Sequence, residues 1–198
     1  LAEQEGAAMV TVHGRTRMQM YRGSADWKGI RLVKEAVNIP VIVNGDILTV
    51  QDAVEALTLS NADGVMVGRG CLRDPWLLRR IADEFAGLPP YQPSLIQRQE
   101  HLLGYFSHIA SETRTEKAAV GRMKKVTGYF TRGLPHGDEL RQKIFHSFDP
   151  VNIKHAVSDW FAMLESKALS NGFDEVCHGA PERFSDGDSR TLERRSAR

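Results

Sequence analysis

The sequence predicts an α/β unit built on parallel strands, followed by an all-helical unit. Three observations predict it. Residues 9–13 (MVTVH), 40–44 (PVIVN) and 64–68 (GVMVG) are short, continuously apolar runs rich in β-branched residues. Such runs suit parallel strands covered on both faces, where apolar side chains need not alternate with polar ones. Helical patterns fill the intervals between runs that start at 9, 40 and 64, the spacing of βα units. From about residue 93 to about residue 170 only helical patterns occur. The strand repeat suits either a (β/α)8 barrel or an open doubly wound sheet, and three strands alone cannot close a barrel.

Each element has its own signal. A helix over 27–37 places Trp27, Ile30, Val33 and Val37 on one face. The next helix, over 50–59, follows Thr49, which forms a capping-box pattern with Asp52. Asp74-Pro75 reads as an N-cap and a first-turn proline, with WLLRRIADEF continuing the helix. GLPPYQPS, residues 87–94, reads as a linker, so the expected domains are 1–88 and 93–170. Ser94 and Gln97 then cap a helix over 95–112. A helix over 115–131 stops at Gly133, with Pro135 beyond it. Another runs through DELRQKIFHSF, residues 138–148, and Asp149-Pro150 opens a last one that ends near Asn171-Gly172. Residues 171–198 lack apolar periodicity and are expected to form a disordered tail.

Charge narrows the function classes. The chain has 26 Lys+Arg against 25 Asp+Glu, which excludes a uniformly polybasic protein. Residues 1–90 hold 10 basic and 11 acidic residues, whereas residues 91–170 hold 11 and 8, so acidic partners are expected at the helical part. The two cysteines, Cys71 and Cys177, lie in no CxxC or His/Cys cluster. Neither a metal site nor a disulfide framework is expected, in keeping with a reducing cytoplasm. No apolar run approaches the roughly 20 residues of a membrane span, and no signal peptide opens the chain. The opening LAEQEGAA reads as the tail of a helix already under way, so the chain is expected to start inside a larger protein.

Two strand ends carry the first chemical signal. VIVNGDI, residues 41–47, and GVMVGRG, residues 64–70, each finish a buried strand with glycine. Ligand-binding groups gather at the carboxyl ends of parallel strands, and glycine lets backbone N–H groups approach a phosphate. Gly45 and Gly68 offer that backbone, and Arg69 adds a guanidinium fork for phosphate oxygens. Asn44 or Asp46 is placed to hold hydroxyls of a ribityl-like or sugar chain. The plainer reading is that these glycines only make tight turns. His13 ends the first strand and points to the same mouth, with Arg15 and Arg17 in the following loop, available to a polyanion. A hydrogen-bonded structural histidine and solvated arginines form the alternative. Cys71 reads as a small filler rather than a nucleophile.

The helical part carries the second. GRMKKVTGYFTRGLP sets Arg122, Lys124, Lys125 and Arg132 among Tyr129 and Phe130. Cations neutralise phosphates and aromatic rings stack on bases. The alternative is a solvated face over a core of Val126, Tyr129 and Phe130.

VTVHGRTR, PVIVNGDI, GVMVGRG with its following PW, and GYFTRGLP together resemble, in order and spacing, the tRNA-dihydrouridine synthases, most closely the bacterial B type. The resemblance covers about residues 1–168; GRGC departs from the family's usual GRGA or GRAA. It implies that residues 1–86 are the last three βα units of an FMN-binding (β/α)8 barrel and that a tRNA-binding helical domain follows. His13, Asn44, Gly45, Asp46, Gly68 and Arg69 match the family's FMN contacts, most of them around the phosphate. Lys124, Lys125 and Arg132 match the helix that approaches tRNA, and Arg15, Arg17 and Arg122 join them as candidate RNA contacts. The implied reaction is reduction of uridine to 5,6-dihydrouridine in tRNA, with NADPH as reductant, in a cytoplasmic monomer. The family's general-acid cysteine, a lysine near the flavin and the strands that hold the isoalloxazine ring are expected upstream of this chain. No catalytic residue is therefore assigned here, and the chain alone is expected to be inactive. An FMN barrel acting on a small molecule and a non-catalytic RNA-binding fragment are the competing readings.

Overall fold

The structure is a computed structural model that describes residues 1–20 and 22–171. The described chain separates into two compact units, Leu1–Tyr91 and the residues from Gln92 onward. It is an α/β protein with a three-stranded parallel sheet. The tail beyond Asn171, with Cys177, lies outside the described residues.

The first unit runs β1 (Val10–His13), α1 (Trp27–Glu35), β2 (Val41–Asn44), α2 (Val50–Ser60), β3 (Gly64–Met66), α3 (Gly70–Arg73) and α4 (Leu77–Phe85). The sheet order is β1-β2-β3. Val12 pairs with Val43 and His13 with Asn44. Val43 in turn pairs with Val65, and Asn44 with Met66. Paired residues share a face. One face carries Val10, Val12, Val41, Val43 and Val65, which pack with Ile30 of α1, Ala53 and Ala56 of α2, and Leu77 and Ile81 of α4. Val41 and Val43 are fully buried there.

The opposite face carries Thr11, His13, Ile42, Asn44, Gly64 and Met66, and none of these is buried. Among the described residues, helices cover one face only, and the other is the open side that three strands unable to close a barrel leave. Right-handed crossovers explain it, because successive βα connections place their helices on the same side of the sheet.

The caps follow the sequence closely. Asp26 accepts from the Gly29 N–H at 2.9 Å at the start of α1. Thr49 Oγ1 accepts from Asp52 N at 3.0 Å, and Asp52 Oδ2 accepts from Thr49 N at 2.9 Å, completing the box before α2. Asp74 behaves differently from expectation. It closes the short α3, its own N–H donating to Gly70 O at 2.8 Å. Its carboxylate accepts from Trp76 N at 3.1 Å and pairs with Arg80 at 2.9 Å, so α4 begins only at Leu77. At the opposite end of the sheet, Asp63 accepts from Lys34 at 2.8 Å and from Val41 N at 2.7 Å, tying α1 to the starts of β2 and β3.

The second unit holds α5 (Leu95–Glu112), α6 (Glu116–Phe130), α7 (Gly137–Phe145) and α8 (Pro150–Asn171), with no strand among the described residues. Phe106, Met123, Ile144, Phe161 and Leu164, one or more from each helix, are fully or almost fully buried. Gln97 N donates to Ser94 Oγ at 3.2 Å and Ser94 N to Gln97 Oε1 at 2.9 Å, the expected box. Asp149 Oδ1 accepts from Val151 N at 2.9 Å and caps α8. Helix α7 stops at Phe145, short of the expected Phe148, because Ser147 N turns back onto Ile144 O at 3.0 Å. Phe148 is left 83% exposed.

Candidate functional site

The carboxyl ends of the three strands are wired together by side chains on the open face. Asn44 Nδ2 donates to the Met66 carbonyl at 2.7 Å. A carbonyl can only accept, so this contact orients the Asn44 amide and turns its Oδ1 toward His13. His13 Nδ1 lies 2.6 Å from that oxygen and therefore donates to it. The chain β3–β2–β1 thus fixes the imidazole and leaves Nε2 without a hydrogen-bond partner among the described residues. A neutral imidazole held this way presents Nε2 as an acceptor, and a protonated one presents it as a donor to an anion.

The loops after β1 and β2 meet in a second network. Arg15 donates from Nη1 to Asp46 Oδ1 at 2.7 Å and from Nη2 to Asp46 Oδ2 at 2.5 Å. Its Nη2 also reaches Gly23 O at 2.5 Å. Ala25 N donates to Asp46 Oδ2 at 2.8 Å. Arg69 Nη2, from the loop after β3, stands 3.5 Å from Asp46 Oδ1. Three loops therefore converge on one carboxylate. The Arg15 side chain is only 2% exposed, its fork held by Asp46 in this structure. Its fork matches a carboxylate in two places at once, and burial favours a partner of fixed geometry. Arg17 is exposed in the same loop, as expected.

The two strand-end glycines prove unlike each other. Gly45 is buried, with φ +119°, and a Cβ there would meet Ala25 Cβ at 2.9 Å and the His13 ring at 3.4 Å. Trp27 Nε1 donates to its carbonyl at 2.8 Å. Gly45 serves a close backbone packing rather than an open approach. Gly68 is exposed, and a Cβ there would meet nothing within 4 Å. The bare, approachable backbone expected of both turns is found at Gly68, beside Arg69. Cys71 follows in α3, where burial and then the Asp74 carboxylate push its thiol above the ordinary 9.0. Both causes disfavour the thiolate, the form a nucleophilic cysteine needs.

The basic residues of α6 also divide. Arg122 and Lys125 are exposed. Lys124 is partly enclosed: its ammonium donates to Phe145 O at 2.8 Å and sits 4.7 Å above the Phe148 ring. Burial lowers its pKa from the ordinary value. Arg132 Nε donates to Gly128 O at 3.3 Å, within its own helix end. The sequence reading missed Ala25, Gly23 and Trp27 as parts of the rim. Their small size or backbone role leaves little signal, although a tryptophan just after Asp26 was already assigned to a helix face. It also missed Phe148, whose aromatic character pointed to a core helix.

No group of three or more His, Cys, Asp or Glu residues suited to a metal ion occurs among the described residues. No helix there is long and apolar enough to cross a membrane. The family model for Dihydrouridine synthase (Dus) matches residues 1–166. The chain is similar to a Probable tRNA-dihydrouridine synthase of Rickettsia bellii (strain RML369-C), 42% identical over 163 residues, an overlap of 81% of this chain and 49% of that one. A protein of the same name in Rickettsia conorii (strain ATCC VR-613 / Malish 7) is 39% identical over 172 residues, 85% of this chain and 51% of that one. One in Mycobacterium leprae (strain TN) is 35% identical over 145 residues, 73% of this chain and 38% of that one. The chain spans about half the length of the two Rickettsia relatives and less of the mycobacterial one. With most of its length matched by the family model and three strand ends gathered as described, the chain belongs to the dihydrouridine synthase family.

Proposed function

We propose that this chain forms part of an enzyme that reduces uridine to 5,6-dihydrouridine in tRNA, with FMN as its redox group and NADPH as the source of electrons, in the cytoplasm. The overall change adds one hydride and one proton across the C5–C6 bond of uracil and oxidises NADPH to NADP+. Residues 1–88 are read as the last βα units of a (β/α)8 barrel and residues 93–170 as a tRNA-binding helical domain.

The observation that carries this reading is the rim at the carboxyl ends of the strands. Gly68 leaves backbone open to a ligand, and Arg69 stands beside it with a guanidinium charge. His13, aimed by Asn44, supplies a further polar atom at the same edge. An open glycine backbone and a guanidinium form a donor set that suits a phosphomonoester, with the imidazole beside them. The residues present therefore fit the phosphate end of FMN. The uncovered sheet face, with Ile42 and Met66, is the interior that a complete barrel would fill. When bound, FMN supplies a two-electron redox step that no side chain here performs. The chain's own residues hold its anionic end and orient it: Gly68 and Arg69 bind, while Asn44 and Gly45 hold His13 and the turn in place.

On the helical side, Arg122 and Lys125 are exposed cations suited to RNA phosphates, with Arg17 as a third on the first unit. A target base stacked inside tRNA must be unstacked before a ring can be reduced. The test is direct. Dihydrouridine is quantified by mass spectrometry at each position of tRNA from cells lacking the gene. Loss at one or more positions, restored by the gene in trans, is expected. Unchanged content at every position, in a strain also lacking any sister enzyme, contradicts the reading.

A further inference from the structure

Asp46 looks like a ligand contact by position, and its carboxylate is also held by the chain itself. Oδ2 accepts from Arg15 Nη2 at 2.5 Å and from Ala25 N at 2.8 Å. Oδ1 accepts from Arg15 Nη1 at 2.7 Å and faces Arg69 Nη2 at 3.5 Å. Oδ2 is filled by two donors, and Oδ1 is held by Arg15 with Arg69 beside it. Arg15 is withdrawn, with a 2% exposed side chain and a buried Nε that has no hydrogen-bond partner among the described residues. A guanidinium that sealed offers a ligand little surface, and its charged partner among the described residues is Asp46.

A bare carboxylate beside a phosphate site would repel the phosphate. Pairing it in two places with a buried guanidinium cancels that charge and fixes the carboxylate's orientation. Asp46 holds a left-handed backbone, φ +54°, which fixes it further. What remains outward of the Arg15–Asp46 pair is Arg69.

We infer that Arg15 and Asp46 are positioning residues that aim the Arg69 guanidinium beside Gly68, so that the site selects a phosphomonoester over the same ligand without its phosphate. This rests on the FMN reading above and deepens it. Asp46 contributes to phosphate preference through Arg69.

The test compares FMN with riboflavin, which differ only by the phosphate, in equilibrium binding to the whole protein. The wild type is expected to prefer FMN strongly. Asp46→Asn keeps the size of the side chain and tolerates the left-handed backbone. It is expected to cut the preference roughly tenfold, as expected for a charged contact that loses its alignment, with riboflavin affinity little changed. Arg69→Ala removes most of the preference, and Asp46→Asn in the Arg69→Ala background is expected to remove no more, the signature of one shared pathway. If Asp46→Asn leaves Arg15 too poorly paired to fold, Arg15→Met with Asp46→Asn removes both buried charges together and carries the same expectation. Additive losses, an equal loss for both ligands, or no change would each overturn the inference while leaving the FMN reading intact. A wild type without any preference for FMN would instead remove the FMN reading, and this inference with it.

Discussion

Single residues divide into those whose role was legible from their neighbours in sequence and those whose role depends on distant partners. Gly45 and Gly68 carried the same sequence signal, glycine at the end of an apolar run. One is locked under Ala25 and the other opens to solvent, a difference set by a residue about twenty positions away in the chain. Arg15 and Asp46 are 31 apart, and nothing local announces that they pair. Asp63 is a third case. The Lys34 hydrogen bond, then the Val41 N–H, hold its carboxyl below the ordinary 3.8. Its contribution to stability is therefore full above that value and fades as pH falls through the lowered one. Asp63→Asn keeps an acceptor for Val41 N but loses the ion pair. The wild type's margin in melting temperature over this variant is expected to be widest near neutral pH and to close as pH drops below about 3.8. A margin that stays constant into strong acid would show that the pair with Lys34 contributes nothing.

Elements were the most legible level. Thr49 with Asp52 and Ser94 with Gln97 specified two helix starts through hydrogen bonds within one turn, information contained in four consecutive residues. Where an element's end depends on tertiary contact, the sequence pattern fails. Asp74 closes α3 and pairs with Arg80, so the helix expected from Asp74-Pro75 starts late. Helix α7 ends early because its last carbonyls find Ser147 and Lys124. That contact separates two lysines adjacent in sequence. Lys124→Met is expected to cost about 0.5–1.5 kcal/mol in chemical denaturation, the usual worth of one hydrogen bond to a helix end. Lys125→Ala is expected to leave stability unchanged, weaken tRNA binding, and reduce the salt dependence of that binding by about one ion. The reverse pattern, with Lys124 controlling the salt dependence, would assign the RNA contact to the wrong side of α6.

At the scale of the whole chain, the parallel α/β class followed from continuous apolar strands separated by helical intervals. Coverage of only one sheet face followed from the number of strands and not from the apolar runs, because three strands alone cannot close a barrel. The open face with its rim, and the exposed cations of α6, are the two features on which the proposed flavin-dependent reaction on tRNA rests. The central claim is that the rim admits a phosphate because Gly68 carries no side chain. A Cβ at Gly68 meets nothing within 4 Å, so Gly68→Val is expected to leave the fold and its melting temperature in place. The most direct measurement is the flavin content of the purified whole protein, read by absorbance and by identifying the released cofactor. The account predicts FMN in the wild type and its loss in a folded Gly68→Val variant. A folded variant that retains FMN at the wild-type level would contradict it.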